Sequence, residues 1–219
     1  SKGRISFCNT GSDAAEFSML LARAYTGRII LIAHLGAHHG FSMGARSLTA
    51  DRAENRRFSL PLIPGVIHVP YPNCYRCSFG QEYPGCNLLC VDHIRHTFDT
   101  VAPPEETAAF FVEPVQAQNV VVPPKEYFQE LKELCEAHEI LLVDDEAMVG
   151  FGRTGKYWGF EHYGIVPDIA TFGKGISSSL PLAAVAGRAD VVADARDGRA
   201  QCAALVVPVG TVSYTHLTL

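Results

Sequence analysis

The apolar residues of this chain come in short unbroken runs, not in apolar–polar alternation. The runs are Ile29-Ile30-Leu31-Ile32, Val66-Ile67-His68-Val69, residues 108–112, 140–143 and 169–172, and Leu182-Ala183-Ala184-Val185-Ala186. A strand that reads this way is buried on both faces. Between two of the runs, Tyr127, Phe128, Leu131, Leu134 and Cys135 form one face at helical spacing, and Pro123 and Pro124 suit the helix start. Strand, helix, strand over residues 108–143 predicts an α/β fold of three layers, α/β/α, with a mostly parallel sheet. In such folds ligands sit beyond the carboxyl ends of the strands.

Composition limits the function classes. The 219 residues, 47% hydrophobic and 19% charged, suffice for one sizeable core. A formal net charge of −5 and no basic run interleaved with aromatics argue against nucleic acid. No stretch of apolar residues is long enough for a membrane span and no secretory h-region opens the chain, so a cytoplasmic location is expected. The cysteines number seven, an odd count that suits a reducing compartment.

Four of them, Cys74, Cys77, Cys86 and Cys90, invite a zinc reading. Structural zinc usually wants two tight knuckles whose separation lets four thiolates converge. The spacing here is irregular and the segment is rich in Pro, Tyr and Gly, which favours a reduced loop insert, with no metal assigned.

Three segments carry candidate chemistry. Asn9-Thr10-Gly11-Ser12-Asp13 follows a short strand and opens a helix running to about Tyr25, before Gly27. Gly11 and Ser12 could cradle a phosphate on the helix N-terminus, or Thr10 or Ser12 could simply cap it. Residues 150–156 have the glycine and lysine spacing of a P-loop, but Tyr157 stands where a metal-binding hydroxyl belongs, so nucleotide binding is rejected. Lys174, in Phe172-Gly173-Lys174-Gly175, and Asp145 stand at the ends of two expected parallel strands. An amine and a carboxylate so placed are what pyridoxal 5'-phosphate chemistry requires, the amine to hold the cofactor aldehyde and the carboxylate to keep the pyridine nitrogen protonated.

Taken together with Ala22-Arg23-Ala24-Tyr25-Thr26-Gly27-Arg28, His39-Gly40, Val112-Glu113-Pro114-Val115-Gln116, and Val143-Asp144-Asp145-Glu146 followed by Gly150 to Gly155, these segments resemble the class III pyridoxal phosphate aminotransferases of fold type I, and most of all their 4-aminobutyrate branch. The resemblance covers residues 5–190. It implies Lys174 as the Schiff-base lysine, Asp145 as partner of the pyridine nitrogen, and Gly11 with Ser12 as phosphate contacts. It places His38 where an aromatic residue usually stacks on the cofactor, and Met148 where a glutamine supports the cofactor's phenolic oxygen. Glu113 matches a carboxylate near the site that is more structural than catalytic, and Gln118 falls at the place of a glutamate that gates substrate carboxylates.

The implied reaction is transamination between an ω-amino acid or diamine and a 2-oxo acid, in a homodimer. An amino acid racemase or aminomutase of the same family would use the same lysine and aspartate, and a catalytically inactive fragment is the remaining alternative. Family members are longer, with a segment before residue 1 and a C-terminal small domain. Residues 1–200 are therefore expected to be an incomplete cofactor-binding large domain, and residues 201–219 a non-family tail of adapter-like sequence.

Overall fold

The computed structural model describes residues 3–177 and 179–194, and the expected tail lies outside them. Seven strands form one sheet: β1 (Gly3–Cys8), β2 (Ile30–His34), β3 (Val66–Val69), β4 (Thr107–Val112), β5 (Leu141–Asp145), β6 (Ile169–Phe172) and β7 (Ala183–Arg188). Their order is β1-β7-β6-β5-β4-β2-β3. Neighbours are parallel from β3 through β6, while β7 runs antiparallel to both β6 and β1. The run at residues 182–186 is thus a strand, as its composition requires, but its direction is reversed. Burial on both faces dictates an unbroken apolar run whichever way a strand points.

The described residues form six helices, α1 (Gly11–Thr26), α2 (Met43–Leu48), α3 (Ala53–Arg57), α4 (Leu89–Phe98), α5 (Lys125–Ala137) and α6 (Ala189–Asp194), of which α3 buries no residue. Side chains along a strand alternate between faces, and the two cores divide accordingly. Leu31, Ala33, Ala109, Phe111, Leu141 and Val143 pack with Phe17 and Leu21 of α1, Leu48 of α2 and Val191 of α6. Ile32, Phe110, Val112 and Leu142 pack on the opposite face with Val91 and Ile94 of α4 and with Tyr127, Phe128 and Leu131 of α5. The three layers are those the apolar pattern predicts, and the buried face of α5 is the one read from its helical spacing.

Helix α1 ends where Gly27, at φ 70°, takes the left-handed conformation and its N–H bonds Arg23 O, a cap open to glycine without a Cβ penalty. Residues 150–158 form turns followed by a short 3-10 helix (Gly159–His162), so the helix that a P-loop needs is replaced by irregular chain. No helix among the described residues is long and apolar enough to cross a membrane.

Candidate active site

Parallel strands β5 and β6 bring the ends of two distant segments side by side. Asp145 closes β5, and Gly173-Lys174 follows β6. Opposite them stand the first turn of α1 and the loop after β2. The result is a cavity of about 220 Å3 lined by Thr10, Gly11, Ser12, His38, His39, Gly40 and Phe41 on one side, and by Asp145, Ala147, Gly173 and Lys174 on the other. Of the residues singled out from the sequence, Gly11, Ser12, His38, Asp145 and Lys174 converge here. Lys174 is exposed and holds φ at 41° in the turn between β6 and β7.

The start of α1 is organised by a reciprocal cap. Thr10 Oγ1 accepts the Asp13 N–H at 3.1 Å, and Asp13 Oδ2 accepts the Thr10 N–H at 2.9 Å. Capping therefore falls to Thr10, and the Gly11 and Ser12 amides belong to the first-turn donors that intrahelical bonding leaves over. A Cβ built on Gly11 would meet nothing within 4 Å, so the helix end opens onto space. The loop after β2 presses close beside it. Ser12 Oγ accepts the Phe41 N–H at 2.9 Å, and a Cβ on Gly40, at φ 140°, would lie 2.4 Å from that oxygen.

Asp145 projects toward α1, on the Leu141 and Val143 face, because strand periodicity sends it opposite to Asp144. Its Oδ2 accepts from His39 Nδ1 at 2.8 Å and its Oδ1 from the Ala147 N–H at 3.1 Å. Burial alone would raise the carboxyl, but the His39 hydrogen bond and charge prevail and hold it below the ordinary aspartate value. For His39, burial lowers the imidazole, and the bond and charge of Asp145 outweigh that and raise it. The pair is thus an ion pair at the cavity wall. Local spacing gave no sign of His39, since its partner lies 106 positions away.

Behind the cavity, His38 N–H donates to Glu113 Oε1 at 2.8 Å, while the His38 ring meets Asp51 Oδ2 through Nδ1 at 3.0 Å and the Phe41 ring edge-on at 4.9 Å. Glu113 Oε2 accepts the Ala117 N–H at 3.2 Å. Burial pushes the Glu113 carboxyl up to about 7, against a lowering by His39. Glu113 thus ties the loop after β4 to the loop carrying His38 without lining the cavity. Met148 and Gln118 do not join the cavity wall either; both are exposed. Side-chain direction in these irregular segments depends on tertiary packing, which motif position does not report. The sequence also gave no reason to choose Phe41, Ala147 and Gly173.

The four loop cysteines are free thiols, and Cys74 opens a short 3-10 turn (Cys74–Arg76). Among the described residues no group of three or more His, Cys, Asp or Glu side chains could hold a metal ion.

The donor set fits a phosphorylated pyridine aldehyde: unused amides at a helix N-terminus facing open space, an anionic carboxylate fixed by a cation, and an accessible amine in one cavity. Comparison with known proteins agrees. The family model "Aminotransferase class-III" matches residues 1–201. The leucine/methionine racemase of Thermococcus litoralis is 40% identical over 190 residues, covering 86% of this chain and 43% of that protein. The chain thus spans less than half of that relative's length. Among solved structures, an (S)-enantioselective omega-transaminase from Thermomicrobium roseum superposes with a TM-score of 0.83 at 33% identity, covering 89% of this chain and 45% of that one. An amine transaminase from an uncultivated Pseudomonas species, in its PLP-bound form, gives 0.82 at 28% identity, covering 93% and 51%.

Proposed function

The chain belongs to the class-III aminotransferase family, and from that premise we propose that its cavity holds pyridoxal 5'-phosphate and serves amino-group transfer. The proposed substrates are an ω-amino acid such as 4-aminobutyrate, or a diamine, and a 2-oxo acid. The observation that carries this reading is the His39–Asp145 ion pair facing the same cavity as Lys174 and the open end of α1.

When bound, the cofactor supplies an electron sink for the bond broken at the substrate carbon. Gly11 and Ser12 amides bind its phosphate, with the helix dipole favouring the negative charge. The Asp145 carboxylate, kept ionised by His39, holds a proton on the pyridine nitrogen. His38 provides a ring at the cavity wall, Met148 is assigned no polar role, and Glu113 and Gln118, which stand outside the cavity wall, are proposed to act on the substrate side. Lys174 Nζ would hold the cofactor aldehyde and would act as general base toward the proton on the substrate carbon. For transfer, Lys174 would then act as general acid and deliver that proton to the cofactor rather than back to the substrate carbon.

A second reading, favoured by the 40% identity to a racemase, returns the proton to the same carbon from the opposite side. Residues 1–200 are proposed as an incomplete large domain of a cytoplasmic homodimer. Free thiols at every described cysteine suit that compartment, and exposed Phe41, Met43, Phe58 and Leu60 suit a covered surface in the parent.

The test is borohydride reduction of the purified chain with added pyridoxal 5'-phosphate, followed by peptide mapping. A specific adduct on Lys174 that is absent from Lys174→Ala supports the site. Labelling scattered over surface lysines would sink it and favour an inactive fragment. Product analysis then separates the two readings, because racemisation releases no oxo acid.

A further inference from the structure

Two carboxyl groups beside the site have no part in the chemistry above. Asp144 and Glu146 are both fully buried. Strand periodicity turns Asp144 away from the cavity, toward the α4 and α5 layer, and Glu146 lies within hydrogen-bonding reach of it. Among the described residues neither Asp144 oxygen has a hydrogen-bond partner, nor does Glu146 Oε2, while Glu146 Oε1 accepts the Phe160 N–H at 3.0 Å. Ionised carboxylates only accept hydrogen bonds, and two adjacent buried anions are strongly disfavoured against one anion and one acid.

The groups facing the pair supply no compensating charge. Asp145 and Glu113 are acidic, and Tyr163 is a phenol whose hydroxyl donates to Pro114 O. The His39 imidazolium is already paired with Asp145. Burial, reinforced by Glu146, accordingly holds Asp144 well above the usual carboxylate range.

We propose that Asp144 and Glu146 share one proton, forming a latch that positions the loop walling the Lys174 turn. The inference does not depend on what the cavity binds. Glu146 anchors that loop twice, through Phe160 N–H on its side chain and Gly150 N–H on its backbone carbonyl at 2.9 Å. Between these anchors, Phe151 and Trp158 meet edge-on at 5.0 Å, and both pack on Phe172. Phe151 Cδ2 also lies 3.2 Å from the position of a Cβ on Gly175, the residue after Lys174. With the proton present, the acid donates to the carboxylate and Glu146 keeps its second oxygen for Phe160. Without it, like charges at contact drive Glu146 from its anchor and release the loop. Asp144 and Glu146 are positioning residues in this scheme.

Infrared spectroscopy tests the shared proton directly, because a protonated carboxyl C=O stretch is distinct from that of a carboxylate. The wild-type minus Asp144→Asn difference at neutral pH is expected to contain one protonated-carboxyl band, whereas Glu146→Gln, in which burial still holds the Asp144 proton, should keep that band. The chain has a single tryptophan, so Trp158 emission reports the loop. In wild type it should shift to the red at alkaline pH as the band is lost, whereas Asp144→Asn, whose amide donates without titrating, should hold its emission.

The folded chain would carry a proton that the unfolded chain releases above about pH 4, so stability falls as pH rises toward the pair's own titration. Over that window the unfolding constant of wild type should rise about tenfold more per pH unit than that of Asp144→Asn. A featureless difference spectrum, or an unchanged alkaline shift in Asp144→Asn, would overturn the proposal. Should neither variant fold, Glu113→Gln decides: with Glu113, at about 7, removed, a protonated-carboxyl band must remain at neutral pH, and its absence refutes the shared proton.

Discussion

Replacing His39 by alanine leaves Asp145 buried without its cation. The pair is closed at 2.8 Å, with side-chain exposures of 0% for His39 and 10% for Asp145, so solvent screens it little. Removing one partner of such a pair typically costs about 3–5 kcal/mol, because the remaining charge is stranded. For a chain of this size each kcal/mol moves the melting temperature by about 2–4 °C, which gives a fall of roughly 6–20 °C. The dependence on pH follows from the directions of the two shifts. Asp145 lies below its unfolded value, so its contribution is present above about pH 3.9 and lost as pH falls through the folded value. His39 lies above its unfolded value, so its contribution is present below about pH 6.5 and lost as pH rises through the folded value.

The difference between wild type and His39→Ala should therefore be largest near pH 5 and smaller near pH 9. His39→Asn, which can offer an amide N–H to Oδ2, should recover about 1.5–3 kcal/mol, the worth of a hydrogen bond to a charged group. Denaturant melts at the two pH values measure all three quantities. A loss below about 1 kcal/mol for His39→Ala, or a loss that does not change with pH, would refute the ion-pair account of the Asp145 wall.

Further outcomes follow from the same packing. Gly40→Ala places a Cβ 2.4 Å from Ser12 Oγ and 2.9 Å from Ser12 Cα; the collision with helix backbone should cost about 2–4 kcal/mol in a urea melt. Glu113, raised to about 7 by burial, is protonated in the folded chain at pH values where the unfolded chain has ionised. The contribution of Glu113 to stability should thus fall by about 1.4 kcal/mol per pH unit between roughly pH 4.3 and 7, and Glu113→Gln should make the slope of the chain shallower by that amount. Thr10→Ala removes the acceptor for the Asp13 N–H and should cost about 1 kcal/mol, while Thr10→Ser should restore most of it.

Much of this architecture is written in short stretches of sequence. The face of α5, the left-handed cap at Gly27 and the reciprocal cap of Thr10 with Asp13 each depend on residues within a turn or two of one another. The runs that became β2 to β6 announce burial because apolar residues follow one another without apolar–polar alternation, His68 and Thr171 being the polar interruptions. The reversed direction of β7 was not legible, since an apolar run carries no sense of direction. Met148 and Gln118 sit in irregular chain, exposed and outside the lining of the cavity, and motif position does not report where such side chains lie. His39 was quoted for its place before Gly40, yet its role comes from a contact that no local pattern encodes.

The three residues Asp144-Asp145-Glu146 separate the two kinds of information. The sequence by itself determined that a buried strand would end in consecutive acids and that a lysine would follow the neighbouring strand. It could not say which acid faces which layer, because alternation divides side chains between two sides without naming them. Only the sheet, with α1 on one face and α4 and α5 on the other, decided that Asp145 meets His39 at the cavity while Asp144 is buried against Glu146. The physical reason is that periodicity and capping are local, whereas charge compensation in a dry interior is settled by whatever the fold brings within hydrogen-bond distance.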